Sequence, residues 1–278
     1  MSELNHPLAL SGDAGIATVY DQGAHVASWT PFGHDPVLFV SRRSGFQVGT
    51  SIRGGIPVCF PWFGPGRSGD RKPAHGFART VDWARVSTEQ DAAVFELTDE
   101  TLSQEHRESF PHAFRARLSV RAGASLEVVL SVENTGEEAF EIEEALHTYL
   151  AVGDVREVEV RGLEDAEFID KTQDNALVPA AGRSLRLTGE TDRVYLLGGP
   201  VTVEDPVLGR RLRITMRGAA DTVVWNPWSE KAAAMSDFGD EEWPAMLCLE
   251  GANALEHAVR VAPGEVHELG YRIDVETD

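Results

Sequence analysis

Two side chains far apart in the chain, His147 and Glu250, carry groups that can perform acid–base catalysis. An imidazole can donate and accept a proton near neutral pH, and burial raises the pKa of a carboxyl group towards that range. Glu250 ends the two-sided apolar run PAMLCLE, so we expect its carboxyl to be partly desolvated with a raised pKa. The alternative is a strand-end glutamate that reaches solvent, and the local sequence does not decide between them.

His147 lies in AFEIEEALHTYL, where alternation assigns successive side chains to opposite faces of a strand. His147 then shares the more polar face with Glu143 and Tyr149. Such a face is either wet surface or the wall of a binding cleft. The strand by itself favours a surface histidine.

Residues 51–80 gather positive charge in an acidic protein. Five cations, Arg53, Arg67, Arg71, Lys72 and Arg79, stand against Asp70 alone, a balance of five minus one, or +4. The whole chain has 25 Lys+Arg against 45 Asp+Glu and a net charge of -20. Arg53 and Arg79 are planar donors that suit the paired oxygens of a phosphate. The segment therefore predicts an anion site. The alternative is an ordinary loop whose cations pair with nearby acidic side chains.

Aromatic residues lie in turn-rich stretches: Trp62, Phe63, Phe77, Trp225, Trp228 and Trp243. Most are expected to pack in the core or against loops. A flat ring beside polar groups is also how proteins contact a sugar, whose C–H surface is apolar.

Several other functions lose support. The nine histidines include no HxH or HExxH pair, so zinc ligation has weak support, and there is no P-loop, GxGxxG or GxSxG motif. Cys59 and Cys248 have apolar neighbours and are expected to be buried thiols rather than nucleophiles. A pI of about 4.8 argues against nucleic acid and anionic membranes as partners.

The compartment is expected to be the cytoplasm. The N-terminus has no basic region followed by an apolar run, and no apolar stretch approaches the roughly 20 residues of a membrane helix.

The elements that must position these groups are mostly strands. FRARLSVR, SLEVVLSVEN and AFEIEEALHTYL alternate with period 2 and predict three consecutive antiparallel strands, and similar runs continue to VHELGYRIDVE. Helical signals are scarce, although Ser229 could cap a short turn in SEKAAAMSDF. We therefore expect an all-β protein, a large antiparallel β-sandwich, with residues 1–278 forming a single domain.

An ordered set of segments resembles the aldose 1-epimerase superfamily, and within it the glucose-6-phosphate 1-epimerase (D-hexose-6-phosphate mutarotase) branch. The resemblance runs from about Arg53 to Asn253. Its segments are IRGGIPVCFPWFGP, AHGFAR, ENTGEEAFEIEEALHTYL, FIDKT, GETDRVY, VVWNPW and SDFGDEEWPAMLCLE with the following GAN.

The resemblance implies a sandwich of the galactose-mutarotase type that binds its sugar on a concave sheet. It implies catalysis by His147 and Glu250 without cofactor or metal. Substrate-binding positions fall on His75 and Asp192 for the sugar, and on Arg53 and Arg79 for a phosphate. In place of the proline that often follows the catalytic glutamate of this branch, this chain has Gly251.

The implied reaction is exchange of the α and β anomers of a hexose 6-phosphate, glucose 6-phosphate first, by opening and closing the ring. Glu250 would take the proton of the C1 hydroxyl while protonated His147 gives one to the ring oxygen, which requires a histidine pKa near neutral. The expected partner is a small-molecule sugar phosphate, and the expected state is a monomer.

Two rival functions remain open. A non-catalytic carbohydrate-binding β-sandwich would keep the aromatics and loops but would not need both His147 and Glu250. A glycosidase or lyase on a similar sandwich is the other rival, although glycosidases usually use two carboxylates.

Overall fold

The computed structural model describes residue 4 and residues 7–277 of the chain, and strands dominate this part. The strands are β1 (Leu8–Ser11), β2 (Gly15–Tyr20), β3 (His25–Pro31), β4 (Val58–Cys59), β5 (Ala84–Thr88), β6 (Ala92–Thr98), β7 (Phe114–Ala122), β8 (Ser125–Asn134), β9 (Phe140–Ile142), β10 (Glu144–Leu146), β11 (Tyr149–Ala151), β12 (Glu159–Arg161), β13 (Phe168–Asp170), β14 (Ala176–Val178), β15 (Thr191–Tyr195), β16 (Val201–Asp205), β17 (Arg210–Arg217), β18 (Asp221–Asn226), β19 (Met246–Asn253), β20 (Val259–Val261) and β21 (Val266–Thr277).

Helices are short. Two are α-helices, α1 (Gln104–Ser109) and α2 (Trp228–Ala234), and single 3-10 turns occur at Ala78–Thr80, Asp99–Thr101, Trp243–Ala245 and Leu255–His257. Among the residues described, no helix has both the length and the apolar character needed to span a membrane.

Alternating sequence produces the first large sheet, which we call sheet A. Its order is β12-β16-β17-β21-β8-β7-β6-β5, and the described pairings are antiparallel. In β7 and β8 every second residue is buried, as the period-2 pattern predicts. The buried face carries Leu118 and Leu130, which are directly paired, and burying each such side chain contributes roughly 1.5–3 kcal/mol.

The second large sheet, sheet B, has the order β14-β13-β15-β18-β19-β10-β4, with β11 also paired to β19. Its central strands β18 and β19 are buried at every position. Leu247 and Leu249 enter the main core shared with sheet A, whereas Cys248 and Glu250 point to the opposite face. Polar groups on that opposite face are therefore removed from water.

Two expectations about local structure are wrong. The segment AFEIEEALHTYL does not form a third strand beside β8, because β21 occupies that position. The segment is instead broken into three short strands, β9, β10 and β11. Of these, β9 pairs with β20, and β10 and β11 pair with β19. Helix α2 begins at Trp228 after Pro227 and has no side-chain cap, so Ser229 lies inside its first turn.

Residues 51–80 wrap along the edge of sheet B, where β4 pairs with β10. Gly54 has a φ of 133°, and a Cβ there would lie 2.4 Å from the carbonyl oxygen of Phe39. Only glycine allows this close approach of backbone to backbone. The approach fixes the neighbouring Arg53 beside the exposed side of sheet B.

Candidate active site

A cleft of about 320 Å³ lies on the face of sheet B that is turned away from sheet A. Its lining consists of Arg53, Phe63, His75, His147, Lys171, Asp192, Val223, Trp225, Lys231, Met235 and Glu250. Five of the six predicted site residues line this cleft, and the sixth, Arg79, does not. The lining joins residues from the first quarter of the chain to residues from its last strands.

His147 and Glu250 lie side by side in the cleft. His147 occupies the break between β10 and β11, where its backbone N–H donates to the Pro57 carbonyl at 3.0 Å. Glu250 lies within β19, and 3.2 Å separates its Oε1 from Nδ1 of His147. The two residues are only 8% and 1% exposed. The surface position favoured for His147 is wrong, because the break between β10 and β11 turns its side chain inward. The alternative that Glu250 reaches solvent at the end of its strand is also wrong, because β19 continues to Asn253.

The burial of this pair shifts both pKa values in opposite directions. Desolvation lowers the pKa of His147 well below its usual value, and His75, Arg79 and Arg53 add to the effect. Desolvation raises the pKa of Glu250 well above its usual value, with a contribution from Asp192. The raised pKa of Glu250 agrees with the sequence expectation, whereas the near-neutral pKa expected for His147 is wrong. Both shifts favour the uncharged forms of the pair, a neutral imidazole and a protonated carboxyl.

Tyr149 and Arg53 support the imidazole. The rings of His147 and Tyr149 are stacked, with centroids 4.9 Å apart and an angle of 8° between planes. Arg53 donates from NH1 to the Tyr149 hydroxyl at 3.0 Å and from Nε to Asp237 at 3.1 Å. A chain of contacts thus runs from an ion pair at the cleft edge to the catalytic candidate.

His75 presents a defined tautomer to the cleft. The backbone N–H of Gly64 donates to Nδ1 of His75 at 3.2 Å, and the backbone N–H of His75 donates to the Gly64 carbonyl at 2.7 Å. Burial lowers the pKa of His75 well below its usual value and so favours the neutral ring; because Nδ1 accepts from Gly64, the ring proton is assigned to Nε2. His75 also has a φ of 66°, a strained backbone of the kind that clusters at functional sites.

Asp192 lies between two lysines that the sequence interpretation missed. Nζ of Lys171 and Nζ of Lys231 each lie 4.0 Å from a carboxylate oxygen of Asp192. Lys171 also lies 4.9 Å above the centre of the Phe63 ring. The available signal was that Lys171 belongs to the quoted segment FIDKT, directly after β13. Lys231 lies in no segment that carried the resemblance.

Comparisons with known proteins identify the family of this chain. The sequence matches the profile of the family described as "Aldose 1-epimerase" over residues 8–274. The chain belongs to the aldose 1-epimerase family. A relative in Escherichia coli (strain K12), named "Putative glucose-6-phosphate 1-epimerase", is 40% identical over 237 residues, or 84% of this chain and 79% of its own.

Further relatives of this epimerase extend the comparison. A protein of Cenchrus ciliaris with the same name is 35% identical and covers 90% of this chain and 78% of its own. The crystal structure of "a putative mutarotase (YeaD) from Salmonella typhimurium" superposes with a TM-score of 0.90 at 29% identity, covering 100% of this chain and 92% of that one. The galactose-mutarotase-type sandwich expected from the sequence is therefore confirmed.

The remaining cations of residues 51–80 lie outside the lining of the epimerase cleft. Arg79 donates to the Ala74 carbonyl at 2.7 Å, next to His75 in the chain, and its charge contributes to the lowered pKa of His75. Arg67 lies 3.3 Å from Glu141, and Arg71 donates to the Ser109 carbonyl. A direct role of Arg79 in phosphate binding remains a prediction.

Of the six aromatic residues noted in the sequence, some line the cleft and the others pack elsewhere. Trp225 and Phe63 line the cleft. Trp62 and Phe77 belong to the main core, and Trp228 packs against Trp243 with ring centroids 4.3 Å apart. Only the first two are placed to contact a sugar.

Gly251 follows Glu250 in β19. It pairs with Leu146 on one side and with Thr222 on the other, so neighbouring strands flank it on both sides. A Cβ at this position would lie 3.3 Å from the Met216 sulfur and 3.4 Å from the Tyr271 ring. The strand that carries Glu250 is therefore held on both edges without a proline.

Proposed function

We propose that this enzyme interconverts the α and β anomers of a hexose 6-phosphate, with glucose 6-phosphate as its substrate. The observation that carries the proposal is the 3.2 Å approach of His147 Nδ1 to Glu250 Oε1 within the cleft. Ring opening removes one proton from the C1 hydroxyl and adds one to the ring oxygen. A base and an acid that lie this close together can supply both movements.

The proposed chemistry begins with transfer of the carboxyl proton of Glu250 to His147. The resulting carboxylate accepts the proton of the C1 hydroxyl while the imidazolium donates to the ring oxygen, so the C1–O5 bond breaks and C1 becomes a carbonyl. Rotation about the C1–C2 bond presents the other carbonyl face. The reverse proton movements close the ring as the opposite anomer. Acid–base assistance of this kind is worth about 10² to 10⁴ in rate.

Four other side chains support positioning of the sugar. Nε2 of His75 is a donor, and Asp192 offers carboxylate oxygens to sugar hydroxyls. Trp225 and Phe63 provide flat apolar surfaces for the C–H face of the ring. Holding the open chain in place allows the carbonyl to rotate without release of the intermediate.

Positive charge supports a phosphorylated substrate. A phosphate monoester carries about -1.5 to -2 charges at neutral pH, and a chain of net charge -20 would repel it without a local positive field. Arg53, Lys171 and Lys231 supply that field within the cleft, and we propose Arg79 as a fourth contributor. The relatives named as glucose-6-phosphate 1-epimerases support the same substrate.

Anomer-exchange NMR on glucose 6-phosphate, beside free glucose and galactose, tests the proposal. The wild-type chain is expected to exchange glucose 6-phosphate fastest. His147→Asn and Glu250→Gln are each expected to lose about 10² to 10⁴ of that rate while still binding the sugar. Unchanged exchange in both variants would instead support a carbohydrate-binding protein, and reducing ends released from a disaccharide would support a glycosidase.

A further inference from the structure

Cys248 places a sulfur atom beside the catalytic pair. It lies two residues before Glu250 on the same face of β19 and is fully buried. Its sulfur, a nitrogen of His147 and a carboxylate oxygen of Glu250 all lie within 4.8 Å of one another. The acid–base mechanism makes no use of this thiol, yet one sulfur, one nitrogen and one oxygen are a ligand set that Zn²⁺ accepts.

Two of these groups have polar atoms without a hydrogen-bond partner. Nδ1 of His147 and Oε2 of Glu250 are buried and unpaired within the described part of the chain. Buried polar atoms normally find a partner, so both are available to a ligand that reaches the cleft. Because these residues line the cleft, an ion can approach them from solvent.

The spacing suits a tetrahedral cation. Two ligands at zinc distances of 2.0–2.1 Å and a tetrahedral angle lie about 3.3 Å apart, and Nδ1 of His147 is 3.2 Å from Oε1 of Glu250. A sulfur and a nitrogen on the same ion lie about 3.6 Å apart, so the sulfur needs to move by about 1 Å at most. A coordinated thiol loses its proton under the charge of the metal, which removes the need for a separate base.

We propose that His147, Cys248 and Glu250 form an inhibitory Zn²⁺ site, in which the ion excludes sugar from the catalytic pair. The fourth position of the tetrahedron faces the cleft and is left to water. The inference rests on the geometry of the three ligands; only its inhibition readout depends on the proposed function.

Cobalt(II) tests binding without reference to activity. Co²⁺ added to the wild-type chain is expected to give a thiolate-to-cobalt charge-transfer band in the near ultraviolet and the visible bands of tetrahedral cobalt. Both should disappear on addition of Zn²⁺. Absence of the thiolate band would overturn the proposal, whatever the enzyme does to sugars.

Inhibition supplies the second measurement, with free Zn²⁺ fixed by a chelating buffer. Zn²⁺ is expected to slow anomer exchange competitively with glucose 6-phosphate. Cys248→Ser should raise the inhibition constant by at least about tenfold relative to wild type. Even the loss of a residue that only hydrogen-bonds to a metal ligand lowers metal affinity by about that factor. Cys59→Ser is the matched control, because Cys59 is equally buried but outside the three-ligand group, and its inhibition constant should stay at the wild-type value.

The variants are first compared by thermal unfolding to establish that they fold. Equal sensitivity of Cys248→Ser and wild type to Zn²⁺ would contradict the proposal. If the cobalt spectrum appears but no sugar is turned over, the metal site stands and the proposed function fails. If sugar is turned over and Zn²⁺ has no effect, the proposed function stands and the metal site fails.

Discussion

The imidazole of His147 lies parallel to the phenol ring of Tyr149, with 4.9 Å between centroids. The hydroxyl of the same tyrosine accepts a hydrogen bond from Arg53. Tyr149 therefore has two separable roles. Its ring packs against the imidazole of His147, and its hydroxyl connects this stacked pair to Arg53.

Two substitutions separate these roles. Tyr149→Leu removes the ring and is expected to lower kcat about two- to tenfold, since an aromatic pair is worth about 0.5–1.5 kcal/mol. Tyr149→Phe keeps the ring and should retain more of kcat, but should raise KM for glucose 6-phosphate because Arg53 loses a hydrogen-bond acceptor. Steady-state anomer exchange gives both constants. An equal loss of kcat in the two variants would assign the effect to the hydroxyl rather than to the stack.

Sequence patterns predicted where the strands lie better than they predicted which strands pair with each other. Period-2 alternation identified β7 and β8 because one face of each is buried and the other is wet. The same pattern could not reveal that the next segment leaves β8 and joins the other sheet. It also could not reveal the break at His147, because a break in a buried segment leaves no change in hydrophobicity.

The candidate site, too, could be predicted only in part from local sequence. Local sequence favoured a surface position for His147 and left Glu250 undecided. Only the resemblance joined the two, since β11 and β19 become neighbours through the fold. Lys171 and Lys231 were missed for the same reason: an isolated lysine usually lies on the surface, and these two are distinguished only by their distance from Asp192.

Lys171 is expected to select for phosphorylated sugar. Lys171→Met removes a charge from the cleft, and a hydrogen bond to a charged group is worth about 1.5–3 kcal/mol, so KM for glucose 6-phosphate should rise about 10- to 100-fold. Exchange of free glucose should change little. Lys72→Met is the matched control, because Lys72 is exposed and outside the cleft lining. The same loss for both sugars would mean that Lys171 positions the sugar ring and not the phosphate.

Arg79 offers a different test of the positive field. Arg79→Ala should reduce turnover of glucose 6-phosphate more than turnover of free glucose, even though Arg79 does not line the cleft. The reason is electrostatic: its charge reaches the site strongly enough to lower the pKa of His75 and His147. The ratio of kcat/KM for the two sugars is the quantity to measure, and equal losses would remove Arg79 from phosphate recognition.

The pH profile should follow the opposite pKa shifts of the catalytic pair. In the proposed mechanism the active pair is a neutral His147 and a protonated Glu250. A second proton on His147 would inactivate the pair, and because the pKa of His147 is lowered, the acid limb should lie well below pH 6.5. Loss of the Glu250 proton would inactivate the pair at the alkaline end, and the raised pKa of Glu250 keeps that proton in place towards neutral pH.

Glucose 6-sulfate is the appropriate substrate for this profile, because a phosphate itself titrates near a pKa of about 6. Asp192→Asn provides the comparison. Asp192 contributes to the raised pKa of Glu250, so its neutralisation should move the alkaline limb to lower pH while leaving the acid limb in place. An acid limb at or above pH 6.5 in the wild-type enzyme would disagree with the neutral imidazole.

A pair formed by the partly buried His267 and the fully buried Glu144 should make stability depend on pH. Nε2 of His267 lies 2.7 Å from Oε1 of the fully buried Glu144, and this hydrogen bond raises the pKa of His267 above its usual value. A raised folded-state pKa means that the stabilisation is complete below about pH 6.5 and is lost as pH rises through the folded pKa. His267→Gln should remove this pH-dependent contribution to stability. The contribution changes the slope of the unfolding free energy against pH by at most about 1.4 kcal/mol per pH unit. Urea unfolding of wild type and variant across this range measures the difference, and parallel curves would show that the pair does not titrate on folding.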